Sequence, residues 1–94
     1  MRIVSDEPKR QKTLAERGLD FAWLTLGFFE AAMIETAHDG RFKATGILNG
    51  VGFVVIYRPL GTEGLTVISM RPASKKERQR YEQRQNAEGQ RNAD

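Results

Sequence analysis

The dipeptide Asn49-Gly50 constrains this 94-residue chain more than any other feature. It separates an alternating run, Arg41 to Leu48, from an apolar run, Val51 to Tyr57. Asn-Gly between two such runs predicts a two-residue type I′ turn, because both central positions need positive φ and these residues tolerate it. So short a loop fixes the register, with Leu48 opposite Val51 and, stepping back, Phe42 opposite Tyr57. The pleat then assigns Phe42, Ala44, Phe53, Val55 and Tyr57 to a core-facing side. Arg41, Lys43 and Thr45 fall on the other side with Val54, Ile56 and Arg58.

The flanking segments supply the remaining elements. Arg2 to Ser5 is a candidate strand. Asp6-Glu7-Pro8 starts a helix with acids in place and proline at its first position, and Gly18 ends it just past Arg17. Asp20 caps a second short helix carrying Phe21, Trp23 and Leu24, ending near Gly27, and Phe28 through Thr36 reads as extended. Pro59 to Thr62 is a loop. Leu65 to Met70 is a further strand, with Leu65, Val67, Ser69 and Arg71 on one face. Ser74-Lys-Lys-Glu77 is a capping box that starts the last helix, whose one large apolar residue is Tyr81. These elements read as an α+β chain with N-terminal helices and a C-terminal helix. Residues 1–88 form a single domain, and residues 89–94 are a polar tail expected to be disordered.

Bulk composition excludes several function classes. There is no cysteine, so neither a disulfide framework nor a thiolate metal site exists. With one His and no Asp/Glu cluster at ligand spacing, neither a metal nor another cofactor is expected. Phe21 to Ile34, the most apolar stretch, is broken by Thr25, Gly27 and Glu30 and is too short to span a bilayer. The first residues lack the apolar segment of a signal peptide, so a cytoplasmic protein away from membranes is expected.

Charge is distributed unevenly. Residues 1–70 hold 8 Lys/Arg and 8 Asp/Glu, whereas residues 71–84 hold 6 Lys/Arg against Glu77 and Glu82. A local positive field of this kind suits a polyanion or an acidic protein surface. Arg71 ends a strand beside a helix N-terminus whose dipole also favours anions; the bland alternative is that it pairs with a surface acid. Arg41 and Arg58 stand opposite each other in the hairpin register, which calls for an acid such as Glu63, or a bound phosphate, between them. The alternative there is that both splay into solvent.

Several motifs together resemble one known family. Glu7-Pro-Lys-Arg10, Arg17-Gly-Leu-Asp-Phe21, Gly40-Arg41, Leu60-Gly-Thr-Glu-Gly64 and Val67-Ile-Ser-Met-Arg-Pro-Ala-Ser-x-x-Glu-Arg78 resemble the BrnT toxins in order, over roughly residues 3–81. BrnT proteins look like members of the RelE/ParE-type toxin superfamily, which implies a small antiparallel β-sheet with N-terminal helices and a C-terminal helix. The resemblance implies the toxin of a type II toxin–antitoxin system, a metal-independent endoribonuclease that inhibits translation and is neutralised by a BrnA-like antitoxin. Its implied partners are RNA and that antitoxin, with room for a homodimer inside the toxin–antitoxin complex. Many relatives carry Lys-His before the glycine that closes the first helix, where this chain has Glu16-Arg17. A guanidinium stays protonated, so Arg17 can bind a phosphate but cannot act as a base there.

Metal-free RNA cleavage needs the 2′-hydroxyl deprotonated, charge stabilised at phosphorus and the 5′-oxygen protonated. Arg71, Arg41 and Arg17 are the catalytic candidates, because a planar guanidinium meets the second need with paired donors. Lys12, Arg58, Lys75, Lys76 and Arg78 are the candidates for binding RNA. His38 lies in turn-like sequence and matches no family motif. Tyr81 reads as an anchor for its helix, and Trp23, Phe28 and Phe29 as core or antitoxin-facing surface. A second reading remains open at this level: a non-catalytic basic module that holds RNA or an acidic protein, a degenerate toxin.

Overall fold

The computed structural model describes residues 2–92, with side-chain detail as far as residue 87. Five strands, β1 Arg2–Ser5, β2 Met33–Thr36, β3 Phe42–Leu48, β4 Val51–Leu60 and β5 Gly64–Pro72, form one sheet in the order β1-β5-β4-β3-β2. The helices are α1 Glu7–Arg17, α2 Leu26–Ala31 and α3 Lys75–Asn92. The antiparallel sheet expected from sequence needs correction, because β1 pairs with β5 in parallel while β2, β3, β4 and β5 pair antiparallel. A parallel neighbour is reached through a long crossover, so no local turn announces it.

The hairpin forms as its turn residues dictate. Asn49 and Gly50 have φ of 51° and 80°, and the register runs from Leu48 opposite Val51 to Phe42 opposite Tyr57. β4 continues through Pro59 and Leu60, which were expected to form a loop, and the turn occupies residues 61–63. β3 ends opposite Tyr57, so β4 is an edge on that side at Pro59, where proline is tolerated.

At the N-terminal end, α1 closes at Gly18, whose φ of 67° is left-handed and whose N–H donates to the Leu14 carbonyl. The Asp20 carboxylate accepts from the Ala22 amide and opens a 3₁₀ turn, Phe21–Trp23. The extended run expected over residues 28–36 is helix as far as Ala31 and strand from Met33. Thr25 accepts from the Phe28 amide and starts α2, leaving only Met33–Thr36 as strand. In a strand, Phe28 and Phe29 would point to opposite sides; on a helix both fit one apolar arc. Both are buried, at ring centroids 5.3 Å apart, and α2 comes down on β3 where Gly46 offers no side chain. A Cβ there would lie 2.9 Å from the Phe28 ring and 3.3 Å from Ala32 Cβ.

One irregularity decides which side chains face where. Ile56 pairs with Ser69 but Tyr57 pairs with Val67, so Ile68 is an extra residue and β5 bulges. Leu65, Val67 and Met70 consequently share the face that packs against Phe21, Leu24, Phe28 and Phe29, together with Ala44, Phe53 and Val55. Each such large side chain contributes about 1.5–3 kcal/mol on burial. Ser69 and Arg71 are turned to the opposite face, which corrects the single face expected for Leu65, Val67, Ser69 and Arg71. That opposite face is not bare, since Thr45 and Val54 are fully buried on it where α3 crosses β3.

The capping box at the head of α3 is formed in both directions, with the Ser74 amide donating to Glu77 Oε1 and the Glu77 amide donating to Ser74 Oγ. Further along, Tyr81 Oη and Gln85 Nε2 both donate to the Ala31 carbonyl, the last of α2. Tyr81 thus anchors the helix. The tail expected over residues 89–94 falls outside the residues whose side chains are described.

Candidate functional site

The bulge at Ile68 creates the candidate site by delivering Arg71 to the α3 side of the sheet, opposite Val54. There its guanidinium meets the capping-box carboxylate end-on: Nη1 lies 2.7 Å from Glu77 Oε1 and Nη2 lies 2.8 Å from Oε2. Lys43, from β3 on the far side of β4, reaches the same Oε2 at 2.7 Å. Glu77 also accepts from the Ser74 amide at 2.9 Å. The hydrogen bonds from Arg71, then those from Lys43 and Ser74, hold its carboxyl well below the usual carboxylate range. The Arg71 guanidinium is correspondingly pushed up, chiefly by Glu77. Arg71 therefore has an acid partner, supplied by its own helix cap.

Arg17 reaches the same strand from α1. Its Nη1 donates to the Met70 carbonyl at 2.8 Å, immediately before Arg71 in the chain. Lys9, Lys12, Thr13, Glu16 and Arg17 line a cleft of about 240 Å³, closed on the other side by the bulged residues Ile68 and Ser69. No residue of α1 is buried, so polar ties fix its position. Besides Arg17 these include Arg10, which donates from Nε and Nη2 to the Asp20 carboxylate at 2.7 and 3.0 Å.

The cations of α3 divide by helical phase. Glu77, Arg80 and Tyr81 face the sheet, and Arg80 is engaged by Glu35 at 2.7 Å. Lys75 and Lys76 are exposed, and Lys75 lies roughly 160° around the helix from Glu77 at 100° per residue. Arg78 is on the flank, its stem packed over Gly52, where an added Cβ would come within 3.0 Å of Arg78 Cγ. It borders a groove of about 500 Å³ with Ile47, Val51 and Pro72 at the hairpin tip.

Arg58 lies away from the Glu77 cluster. Arg58 lies four residues beyond Val54, the partner of Arg71, which is about 13 Å along the strand. Its Nη2 donates to the Asp39 carbonyl, and the buried Nε of Arg41 has no hydrogen-bond partner. Among the described residues neither makes an ion pair, so Glu63 does not serve as the expected acid between them. Of the three catalytic candidates, Arg71 is paired with Glu77, Arg17 is tied to the carbonyl of the residue before Arg71, and Arg41 lies two residues before Lys43. His38 sits exposed in the turn that carries Asp39. Of the aromatic residues, Trp23 alone is half exposed, while Phe28 and Phe29 are buried.

Lys43 and Glu77 were missed as members of this site. Lys43 was legible as a non-core hairpin residue and Glu77 as a cap. The arrival of Arg71 beside them depends on the bulge, which has no signature in the sequence. Among the described residues no group of three His, Cys, Asp or Glu side chains converges to hold a metal ion, and no helix is long and apolar enough to cross a membrane.

Comparison with known proteins gives this arrangement a context. Residues 6–77 match the model of a family described as the ribonuclease toxin BrnT of type II toxin–antitoxin systems. The crystal structure of the Brucella abortus ribonuclease toxin BrnT is similar, at 47% sequence identity and a TM-score of 0.75, over 80% of this chain and 99% of that one. No curated protein matches the chain.

Proposed function

Because the chain belongs to the BrnT family of ribonuclease toxins of type II toxin–antitoxin systems, we propose that it is itself an active, metal-independent endoribonuclease. In this reading it has a RelE/ParE-type fold, inhibits translation by cleaving RNA in the cytoplasm, and is held inactive by a BrnA-like antitoxin. The observation that carries the reading is the anchoring of Arg17 on the Met70 carbonyl, one residue before Arg71, beside a cleft lined by Lys9 and Lys12 in a chain of this family.

The chemistry follows from what these groups offer. Arg71 lies with one edge in the grip of Glu77 and presents its remaining donors to a phosphate whose charge grows as the 2′-oxygen attacks. Arg17 and Lys12 hold the adjoining backbone in the α1 cleft. Lys76 and Arg78 take phosphates on the flank of α3, Lys75 adds long-range attraction, and Arg41 with Arg58 binds a more distant part of the same strand. Proton transfer from the 2′-hydroxyl and to the 5′-oxygen is not assigned to a side chain, since Arg17 replaces the histidine of many relatives.

That replacement favours the second reading, a toxin that binds RNA or its antitoxin without cleaving. One experiment separates the two. The purified chain is incubated with an unstructured RNA in EDTA. Accumulating fragments support the nuclease, and intact RNA after prolonged incubation with retained binding supports the binding module. In cells, expression should arrest growth, with rescue by the adjacent antitoxin gene.

A further inference from the structure

Glu77 carries more than a helix cap requires. A capping box closes equally well with glutamine, whose amide oxygen accepts the same backbone N–H. Here the position holds a carboxylate, and its side chain is only 13% exposed although capping residues ordinarily lie at the surface. It is turned onto the sheet, where one oxygen, Oε2, takes both Arg71 Nη2 and Lys43 Nζ. Two cations sharing one oxygen repel each other, and the carboxylate between them is what lets them stand side by side.

The donors left over point to a ligand. Arg71 uses its Nη1–Nη2 end on Glu77 and a further Nη1–H on the Pro72 carbonyl. The side edge, Nε–H with the second Nη2–H, makes no hydrogen bond among the described residues, and the Arg71 side chain is 42% exposed. That edge is a parallel pair of donors with the spacing of two phosphate oxygens. Lys43 Nζ has spent one of its three donors on Glu77. The three side chains together keep a net positive charge, so the cluster still attracts an anion after its internal pairing is satisfied.

We infer that Glu77 is a positioning residue that holds Arg71 and Lys43 as a two-cation seat for one RNA phosphate, and that Lys43 is a phosphate contact in its own right. This rests on the nuclease reading above and adds two residues to it. Arg71 supplies the paired donors and Lys43 a point charge beside them. Glu77 touches neither substrate nor reacting atoms and acts only through the other two.

The test uses the full chain with a fluorescent single-stranded RNA, reading initial cleavage rates, affinity and melting temperature for Glu77→Gln, Lys43→Gln and Lys43→Arg. Glu77→Gln keeps the cap, so the helix signal stays, while a misplacement of Arg71 on the order of 1 Å lowers kcat by up to about a hundredfold. Lys43→Gln should lower kcat/KM about tenfold with the melt nearly unchanged, and Lys43→Arg should restore most of it. Glu77→Gln cleaving as fast as the parent, or faster, would overturn the inference, because the carboxylate would then be a bystander or a competitor for the seat. An inactive parent defeats the nuclease reading alone, and the seat is then judged by affinity: weaker RNA binding in Lys43→Gln and Glu77→Gln upholds it, and unchanged binding overturns it. A parent that neither cleaves nor binds RNA overturns both.

Discussion

Replacing Arg71 with Ala should separate activity from stability, and the geometry gives both magnitudes. The loss removes two hydrogen bonds to Glu77, at 2.7 and 2.8 Å, but Glu77 keeps Lys43 and the Ser74 amide. The carboxylate is therefore not stranded, and the large penalty of an uncompensated buried charge does not apply. The Arg71 side chain is 42% exposed, so the pair is partly screened by solvent and its removal costs about 1 kcal/mol. For a domain of this size that lowers the melting temperature by roughly 4–8 °C. Activity should fall much further. Losing a cation aimed at the developing charge costs about 3–4 kcal/mol in the transition state, a rate loss of more than a hundredfold. The assay pairs initial cleavage rates in EDTA with thermal melts, at a temperature where the variant is still folded. If the variant melts a few degrees lower and still cleaves at the parent rate, Arg71 is a structural partner of Glu77 and not a catalytic group. If activity falls only in step with the folded fraction, the loss is one of stability and the same conclusion follows.

Three further outcomes are expected. Gly46→Ala places a Cβ 2.9 Å from the buried Phe28 ring, so overpacking should cost about 1–3 kcal/mol, seen as a lower melting temperature; an unchanged melt would mean α2 lifts from β3 without penalty. Glu77 is held below its unfolded pKa, so its contribution is complete above about pH 4.3 and fades as pH falls from there towards the folded value. The parent should accordingly lose melting temperature in acid faster than Glu77→Gln, and parallel curves would remove Glu77 as the cause. The pair Lys12→Gln and Arg17→Gln should flatten the slope of log affinity for single-stranded RNA against log salt by about 1.4, whereas an unmoved slope would empty the α1 cleft of phosphate.

Local chemistry made much of the fold legible. Asn49-Gly50, Gly18, Asp20 and the Ser74–Glu77 box each fix a turn or a helix end through their own backbone and side-chain bonds, and each appears where the residues demand. The errors arose where a distant partner decided the outcome. β1 needed β5 beside it, some sixty residues away, and Phe28-Phe29 needed Gly46 beneath them to favour helix over strand.

The site failed to read out for the same reason, concentrated in one residue. Ile68 is an ordinary apolar member of a β-branched run, and nothing about it marks an insertion into the ladder. Yet were Ile68 paired in a regular ladder, strict alternation would place Arg71 on the face of Leu65 and Val67, against the Phe21–Phe29 layer. With the bulge, the charge lands beside Glu77 and Lys43. A bulge that re-aims one cation leaves the apolar residues before and after it on the core side, because Met70 takes over the phase that Val67 leaves. The strand thus meets two demands that a two-residue period cannot meet together: a continuous core face and a terminal arginine on the other side. The Arg41–Arg58 pair shows the converse. The ladder stops one residue short of it, at Phe42 opposite Tyr57, and Arg58 stands about 13 Å along β4 from Val54, the partner of Arg71, so a register extrapolated from the hairpin was no guide to membership of the site.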